Sequence, residues 1–327
     1  IESTSHPKPG EASWQETLLL GTFSPDPETS FRYAASAART ARLLGSVHVD
    51  QAALYRDSAE QAWAWADANA DRVIEDTVNR AGSRARDPKR LQQAVREVRC
   101  LAAVELFWLT GSRDYEQAFL QSSWLGRGQG DAGAELDATF TYARLPASLG
   151  DPQLKQKATK WFQDAAADSM EFAQQNAFSL TCRVPALPMI GYVAYYSAPE
   201  TTIGWVLPRA HFLTGDAKYL AAALAATQFS AGANPMNMTL TTGVGQRSPL
   251  HPLHIDMEHA GLKVPRGITV YGNSDPAISD GSTDWAHTWF LKKMIPASRS
   301  WPAAEFYVDL GNWPVMNEYT VHQTFAP

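Results

Sequence analysis

The chain has 327 residues, 45% of them hydrophobic, enough for one large core or two ordinary ones. Its 28 basic and 34 acidic residues give a net charge of -6 without any Lys/Arg run, which argues against a nucleic-acid footprint. No apolar stretch reaches the roughly 18 residues of a membrane span, and Cys100 and Cys182 allow at most one disulfide and no Cys-rich metal site.

The opening "IESTSHPKPGEASW" lacks a basic start and an apolar run, so it does not read as a signal peptide. Helix follows. "FRYAASAARTARLL" and "DQAALYRDSAEQAWAWADAN" are Ala-rich, which lets neighbouring helices approach closely. In "LQQAVREVRCLAAVELFWLTG" the residues Leu91, Val95, Val98, Leu101, Ala102 and Glu105 recur near one face, and Phe107 and Leu109 extend it. Four junctions share a pattern: Gly45, Gly111, Gly150 and Gly215 each end a helix before a short polar turn and a new helix. Glycine accepts the left-handed conformation that closes a helix. Gly45 to Gly111 is 66 residues and Gly150 to Gly215 is 65, and "LTGSRDY" matches "LTGDAKY" at Leu, Thr, Gly and Tyr. Helical hairpins at a fixed period predict a solenoid or a closed ring of hairpins. Residues 231 to 284 lose the periodicity and are rich in Gly, Pro, Asn, Ser and His, as long functional loops are. Helix returns around "DWAHTWFLKKM", and the chain closes with "NEYTVHQTF". No linker divides the chain, so one domain over residues 1–327 is expected. The 11 tryptophans read as core residues or as indole platforms along an open cleft, the kind of face on which sugars stack.

Five motifs in order carry a resemblance: Gly232-Ala-Asn234-Pro235, Gly243-Val-Gly245, the loop "SPLHPLHID" holding His251 and His254, Tyr307-Val-Asp309, and Asn317-Glu318. Together with "HPKPGEASWQE" and "TTIGWVLPRAHFLTGD" they resemble glycoside hydrolase family 9 over nearly the whole chain. The resemblance implies an (α/α)6 barrel, all-α, in agreement with the helical repeat. It also implies a hydrolase that cleaves β-1,4 bonds of cellulose-type glucans or their oligosaccharides with inversion. Glu318 matches the general acid; the apolar surroundings "WPVMNEYTV" suggest burial, which would keep its carboxyl protonated. His251 and His254 match the loop that holds the sugar beside the cleaved bond, and an imidazole both donates and accepts, as a hydroxyl requires. Trp205 and Trp313 are candidate sugar platforms, and Tyr307 a further substrate-binding candidate.

Three departures matter. The family's His-His-Arg is altered: Leu253 separates the histidines, Ile255 takes the arginine's slot, and Arg266 is a distant substitute. The family's calcium-binding stretch has Arg96 where an aspartate would stand, so no metal or other cofactor is expected; a cation repels calcium. The base, an Asp in Asp-Ala-Gly-Asp, has only a partial match at Asp131-Ala-Gly133, where residue 134 is Ala and Asp131 suits a helix cap; Asp137 ranks no higher. About nine or ten helices are readable where a six-hairpin barrel needs twelve. The chain therefore reads as the C-terminal majority of a catalytic domain, with its first helices and base expected in an upstream segment. Two other readings compete: an exo-acting relative for amino sugars, with Asp256 or Glu258 meeting the ammonium, and a non-catalytic carbohydrate-binding remnant. The expected partner is a β-glucan or oligosaccharide, not nucleic acid or membrane, and the expected location is secreted or periplasmic. "NMT" at 237–239 is a formal glycosylation sequon that reads as chance.

Overall fold

Asp-Pro pairs write several helix starts in this chain. In a computed structural model, which describes residues 12–15, 25–81, 87–130, 132–181, 203–274, 276, 291–311 and 313–319, the aspartates of Asp26-Pro27, Asp87-Pro88 and Asp151-Pro152 cap and the prolines open the first turn. Asp26 Oδ1 accepts from the Thr29 N–H at 2.8 Å, Asp87 Oδ1 from Lys89 at 3.0 Å, and Asp151 Oδ1 from Gln153 at 2.7 Å. Each bond satisfies an amide that the helix itself leaves unpaired.

The helices are α1 (Pro27–Leu44), α2 (Val49–Ala81), α3 (Pro88–Thr110), α4 (Arg113–Ser122), α5 (Trp124–Arg127), α6 (Leu136–Ala143), α7 (Pro152–Gln174), α8 (Ile203–Thr214), α9 (Ala217–Ser230), α10 (Ile255–Ala260) and α11 (Pro314–Asn317). The described residues contain no strand; Thr241 and Thr269 pair as an isolated bridge. None of their helices is long and apolar enough to cross a membrane. Residues 277–290, which hold most of "DWAHTWFLKKM", lie outside the described set, as do Asp131 and Cys182.

The glycine junctions hold in part. Gly111, Gly150 and Gly215 adopt φ of 71°, 72° and 71°. Gly45 does not: its φ is -56°, and its N–H simply continues the helical ladder to Ala41 O at 3.0 Å. Gly150 also falls after residues 144–149, a six-residue connection from α6, rather than at the helix end itself.

The chain groups into two compact units, Phe23–Trp161, and Ile1–Thr22 with Phe162–Pro327. In the first, α1 packs on α2 and α3 through Ala34, Ala38, Ala59, Ala66 and Ala102, as the Ala-rich faces predict. Phe31 meets Trp63 edge-on at 5.1 Å, and Phe119 stacks on Tyr142 at 4.7 Å. Burying each such aromatic contributes about 1.5–3 kcal/mol.

Glu105, on the otherwise apolar face of α3, is fully buried. Its Oε1 accepts from Arg39 Nη2 at 2.6 Å and Thr141 Oγ1 at 3.0 Å, and its Oε2 from Arg42 Nη2 at 3.3 Å. One carboxylate thereby ties α1, α3 and α6. Arg42 in turn lies 3.7 Å over the Trp108 ring. Glu105→Gln is expected to lose about 1.5–3 kcal/mol of stability, the range for hydrogen bonds to a charged group. Chemical denaturation would check this: the midpoint should fall with its slope unchanged.

Cys100 is buried and free, with Sγ 3.7 Å from Glu135 Oε2. The same Glu135 oxygen accepts the Trp124 N–H at 2.8 Å. Burial pushes both the Cys100 thiol and the Glu135 carboxyl above their usual ranges.

Among the described residues of the second unit, two small apolar clusters stand out. Leu180, Phe229, Leu240 and Val270 form one; Leu291, Phe306, Trp313 and Met316 form another. Both sit beneath the loops that carry the motifs.

Candidate active site

Asn234 shows how the first motif holds its turn. Its Nδ2 donates to Phe229 O at 2.7 Å and Met238 O at 2.8 Å, while its Oδ1 accepts from Met236 N at 3.1 Å. A buried amide whose bonds are all local makes a rigid exit from α9. Gly243 follows, and the stem of Arg266 lies so close against it that no Cβ would fit. Arg266, the distant candidate for the missing arginine, packs on this glycine loop.

Asn317 is the centre of the site. It is fully buried, and its Nδ2 donates to Val308 O at 2.8 Å, Leu310 O at 2.9 Å and Trp313 O at 3.2 Å. Its Oδ1 accepts from the Tyr307 hydroxyl at 2.8 Å. Its backbone carbonyl accepts the Leu253 N–H at 2.8 Å. One side chain thus fixes the Tyr-x-Asp segment and one carbonyl fixes the histidine loop.

Asp309 makes the second tie. Its Oδ2 accepts the Leu250 N–H at 2.8 Å and its Oδ1 the His251 N–H at 2.9 Å. Gly311 lets the loop lie close, since a Cβ there would sit 3.4 Å from His251 O. Tyr307 Oη is 3.5 Å from Asp309 Oδ1. Burial, with the Asp309 charge behind it, pushes the Tyr307 phenol well above its usual range. Tyr307 therefore serves as a neutral brace with its hydroxyl proton committed to Asn317, a different role from the substrate contact expected of it.

Glu318 follows Asn317 directly. Its backbone carbonyl accepts the Tyr271 N–H at 2.9 Å, and Gly272 N–H reaches Met316 O at 2.9 Å, so residues 271–272 pin both sides of Asn317. The Glu318 side chain is exposed, contrary to the burial expected from its apolar neighbours. Trp313, Met316 and Asn317 turn inward and leave Glu318 at the surface.

His251 is exposed, and His254 is half-buried. His254 caps α10: its Nδ1 accepts the Met257 N–H at 3.4 Å. With Nδ1 accepting, the ring proton of a neutral His254 sits on Nε2, which is left to donate. The ring lies 6.1 Å from that of Tyr319, next to Glu318. Ile255, in the family's arginine slot, is an exposed first residue of α10.

Two expectations change here. Trp313 is 1% exposed and packs edge-on against Phe306 at 5.6 Å, so it is a core residue and presents no face to a sugar. Asp256, a candidate for an amino sugar, already accepts from Ser13 N at 2.6 Å and Ser13 Oγ at 2.5 Å; these bonds hold its carboxyl below the usual range. The Trp205 side chain lies outside the described residues.

The gathered residues all belong to one unit, and their order in the chain is that of the five motifs. The model of glycosyl hydrolase family 9 matches residues 15–322. The chain belongs to glycosyl hydrolase family 9. It is similar in structure to a metagenome-derived family 9 endoglucanase, with TM-score 0.67 and 21% identity over 92% of this chain and 50% of that one. A single mutant of a thermostable endoglucanase from Alicyclobacillus acidocaldarius gives TM-score 0.72 and 16% identity over 98% of this chain and 57% of that one. AaCel9A in complex with cellobiose-like isofagomine gives 0.66 and 17% over 93% and 54%. The fold is accordingly the all-α (α/α)6 barrel of family 9. This chain spans about half the length of these endoglucanase chains. No curated protein matches it.

Proposed function

We propose that this family 9 chain carries the acid side of an inverting β-1,4-glucan hydrolase, with Glu318 as the general acid. One observation supports the reading most: Asn317 and Asp309 lash the histidine loop to the residue beside Glu318. These ties hold the histidine loop and the Glu318 backbone in one rigid frame, and a proton donor to a bound sugar must be held in place. In the proposed step Glu318 gives its proton to the glycosidic oxygen as the C1–O bond breaks. Water attacks C1 from the opposite face and loses a proton to a second carboxylate, which inverting enzymes hold roughly 6.5–9.5 Å from the acid. Asp309 does not suit that second role, because both its oxygens hold backbone amides. The base is assigned, by family resemblance, to an aspartate outside the residues gathered at this site. His251 and the His254 Nε2–H are assigned to sugar hydroxyls.

The substrate class in this reading is a cellulose-type glucan or its oligosaccharides, with a secreted or periplasmic setting to match. No calcium enters it. Arg96 and Arg99 occupy the stretch in question, and Arg99 bonds Asp67 Oδ1 at 2.8 Å, Ser122 Oγ at 2.6 Å and Ala118 O at 3.1 Å. A guanidinium takes the oxygens a hard cation would need, and the residues present do not fit one.

Proton NMR of a cello-oligosaccharide digest tests the reading. The α-anomer should appear first and equilibrate with the β-anomer afterwards. Initial release of the β-anomer would overturn the inverting assignment, and no release by the full-length protein would overturn the enzyme.

A further inference from the structure

Trp313 cannot serve as a sugar platform, yet the unit that carries the site offers another indole. Trp14 is 61% exposed, in the turn Ser13–Gln15. It stands one residue before the span matched by the family.

A single exposed tryptophan is common on protein surfaces and by itself means little. Three features separate this one from a stray side chain. The turn is tightly built: Gln15 N–H donates to Ala12 O at 2.8 Å, Ala12 N–H returns to Gln15 Oε1 at 3.0 Å, and Ala12 is 1% exposed. The residue beside the indole is clamped over a sequence distance of 243 residues. Ser13 N–H and Oγ reach the two oxygens of Asp256, on the first turn of α10. That helix is capped by His254 itself, whose ring lies 6.1 Å from that of Tyr319, the neighbour of Glu318. Trp14, Asp256, His254 and the Glu318 segment are therefore linked by direct contacts or by sequence adjacency.

Burying an indole on folding is favourable by a few kcal/mol. Here a charge-assisted double hydrogen bond instead anchors the turn that leaves the indole in water. Such an arrangement pre-organises a flat apolar face at little entropic cost on binding. Pyranose rings present flat C–H faces of matching size, and Ser13, next to Trp14, bonds the helix that follows directly on the loop assigned to sugar hydroxyls.

Resting on the function proposed above, we infer that Trp14 is a sugar-stacking platform at the edge of this site. It sets how strongly a glucan chain is held on the side of α10. Ser13 and Asp256 are its positioning residues. The platform acts through ground-state binding away from the cleaved bond, so its loss should appear in KM and scarcely in kcat.

The test compares the full-length protein with Trp14→Ala, Trp14→Tyr and Ser13→Ala on cello-oligosaccharides of increasing length. Dissociation constants for the same oligomers would be measured by calorimetry. Trp14→Ala should raise KM and the dissociation constant about tenfold, equivalent to about 1.4 kcal/mol, for oligomers long enough to reach it. It should leave short oligomers, kcat and the melting temperature unchanged. Trp14→Tyr should restore most of the affinity, because an aromatic face remains. Ser13→Ala should give a partial loss with the same length dependence. Affinity of Trp14→Ala equal to wild type at every length would overturn the platform, as would an equal loss at every length. If the wild type binds oligomers without cleaving them, the length-dependent loss would keep the platform while the hydrolytic reading falls. Wild type that neither binds nor cleaves would remove both.

Discussion

Glu318→Gln should lower the rate of β-1,4-glucan hydrolysis by about 10²–10⁴-fold, the usual contribution of a positioned proton donor. Stability should hardly change. The Glu318 side chain is exposed, and its backbone carbonyl, which the substitution keeps, accepts from Tyr271 N–H at 2.9 Å. Exposed substitutions of this kind fall within about 0.5 kcal/mol. A second measurement separates acid catalysis from a general disturbance. An aryl cellobioside with an acidic phenol leaves without much help from a proton. The Gln variant should therefore recover most of its deficit on such substrates and little on cello-oligosaccharides. A deficit that stays constant across leaving groups would remove Glu318 as the acid, whatever its size.

Much of the architecture is legible in the sequence for simple reasons. Apolar spacing marks α3, Asp-Pro pairs mark the starts of α1, α3 and α7, and the Ala-rich faces of α1 and α2 mark a close-packed pair. The failures are equally physical. Glycine permits a left-handed cap but does not demand one, and Gly45 keeps a right-handed φ of -56°. A tryptophan in a short polar segment has no period to say which way it faces. Trp313 turned in because Phe306, Leu291 and Met316 were there to receive it, and Trp14 stayed out. Both outcomes are settled by segments remote in sequence.

The site was legible as a set of motifs but not as a mechanism for holding them together. Asn317 could be read only as the neighbour of an acid. A buried amide in "WPVMNEY" must nevertheless find partners for both its donors and its acceptor. That demand was the available signal, and the structure meets it with Tyr307 and three carbonyls. The same logic moves Tyr307 from the substrate to the scaffold. Asp256 could not be foreseen as the anchor of Ser13, 243 residues away.

Asp309→Asn should be the most damaging change that touches no assigned sugar contact. Its two oxygens accept the adjacent N–H groups of Leu250 and His251, at 2.8 and 2.9 Å. An asparagine offers one oxygen and, in place of the other, an NH₂ pointed at a backbone donor. Losing one charge-assisted bond, with an NH₂ turned toward its donor, while the other bond loses its charge assistance, costs about 1.5–3 kcal/mol in the placement of the histidine loop. The Leu253 N–H bond to Asn317 O remains, so the loop should stay attached at its far end while the His251 end loosens. Through that misplacement kcat/KM on cello-oligosaccharides should fall by about 10- to 100-fold, since small errors in position are costly near a reacting bond. A purely structural Asp309 would show itself differently, as a lower melting temperature with kcat/KM intact at temperatures where the variant is folded. His251→Ala supplies the decisive comparison. If Asp309 acts through His251, the double variant should be little worse than the more damaged single variant. Fully additive losses would mean that Asp309 supports the site by some route other than the histidine loop.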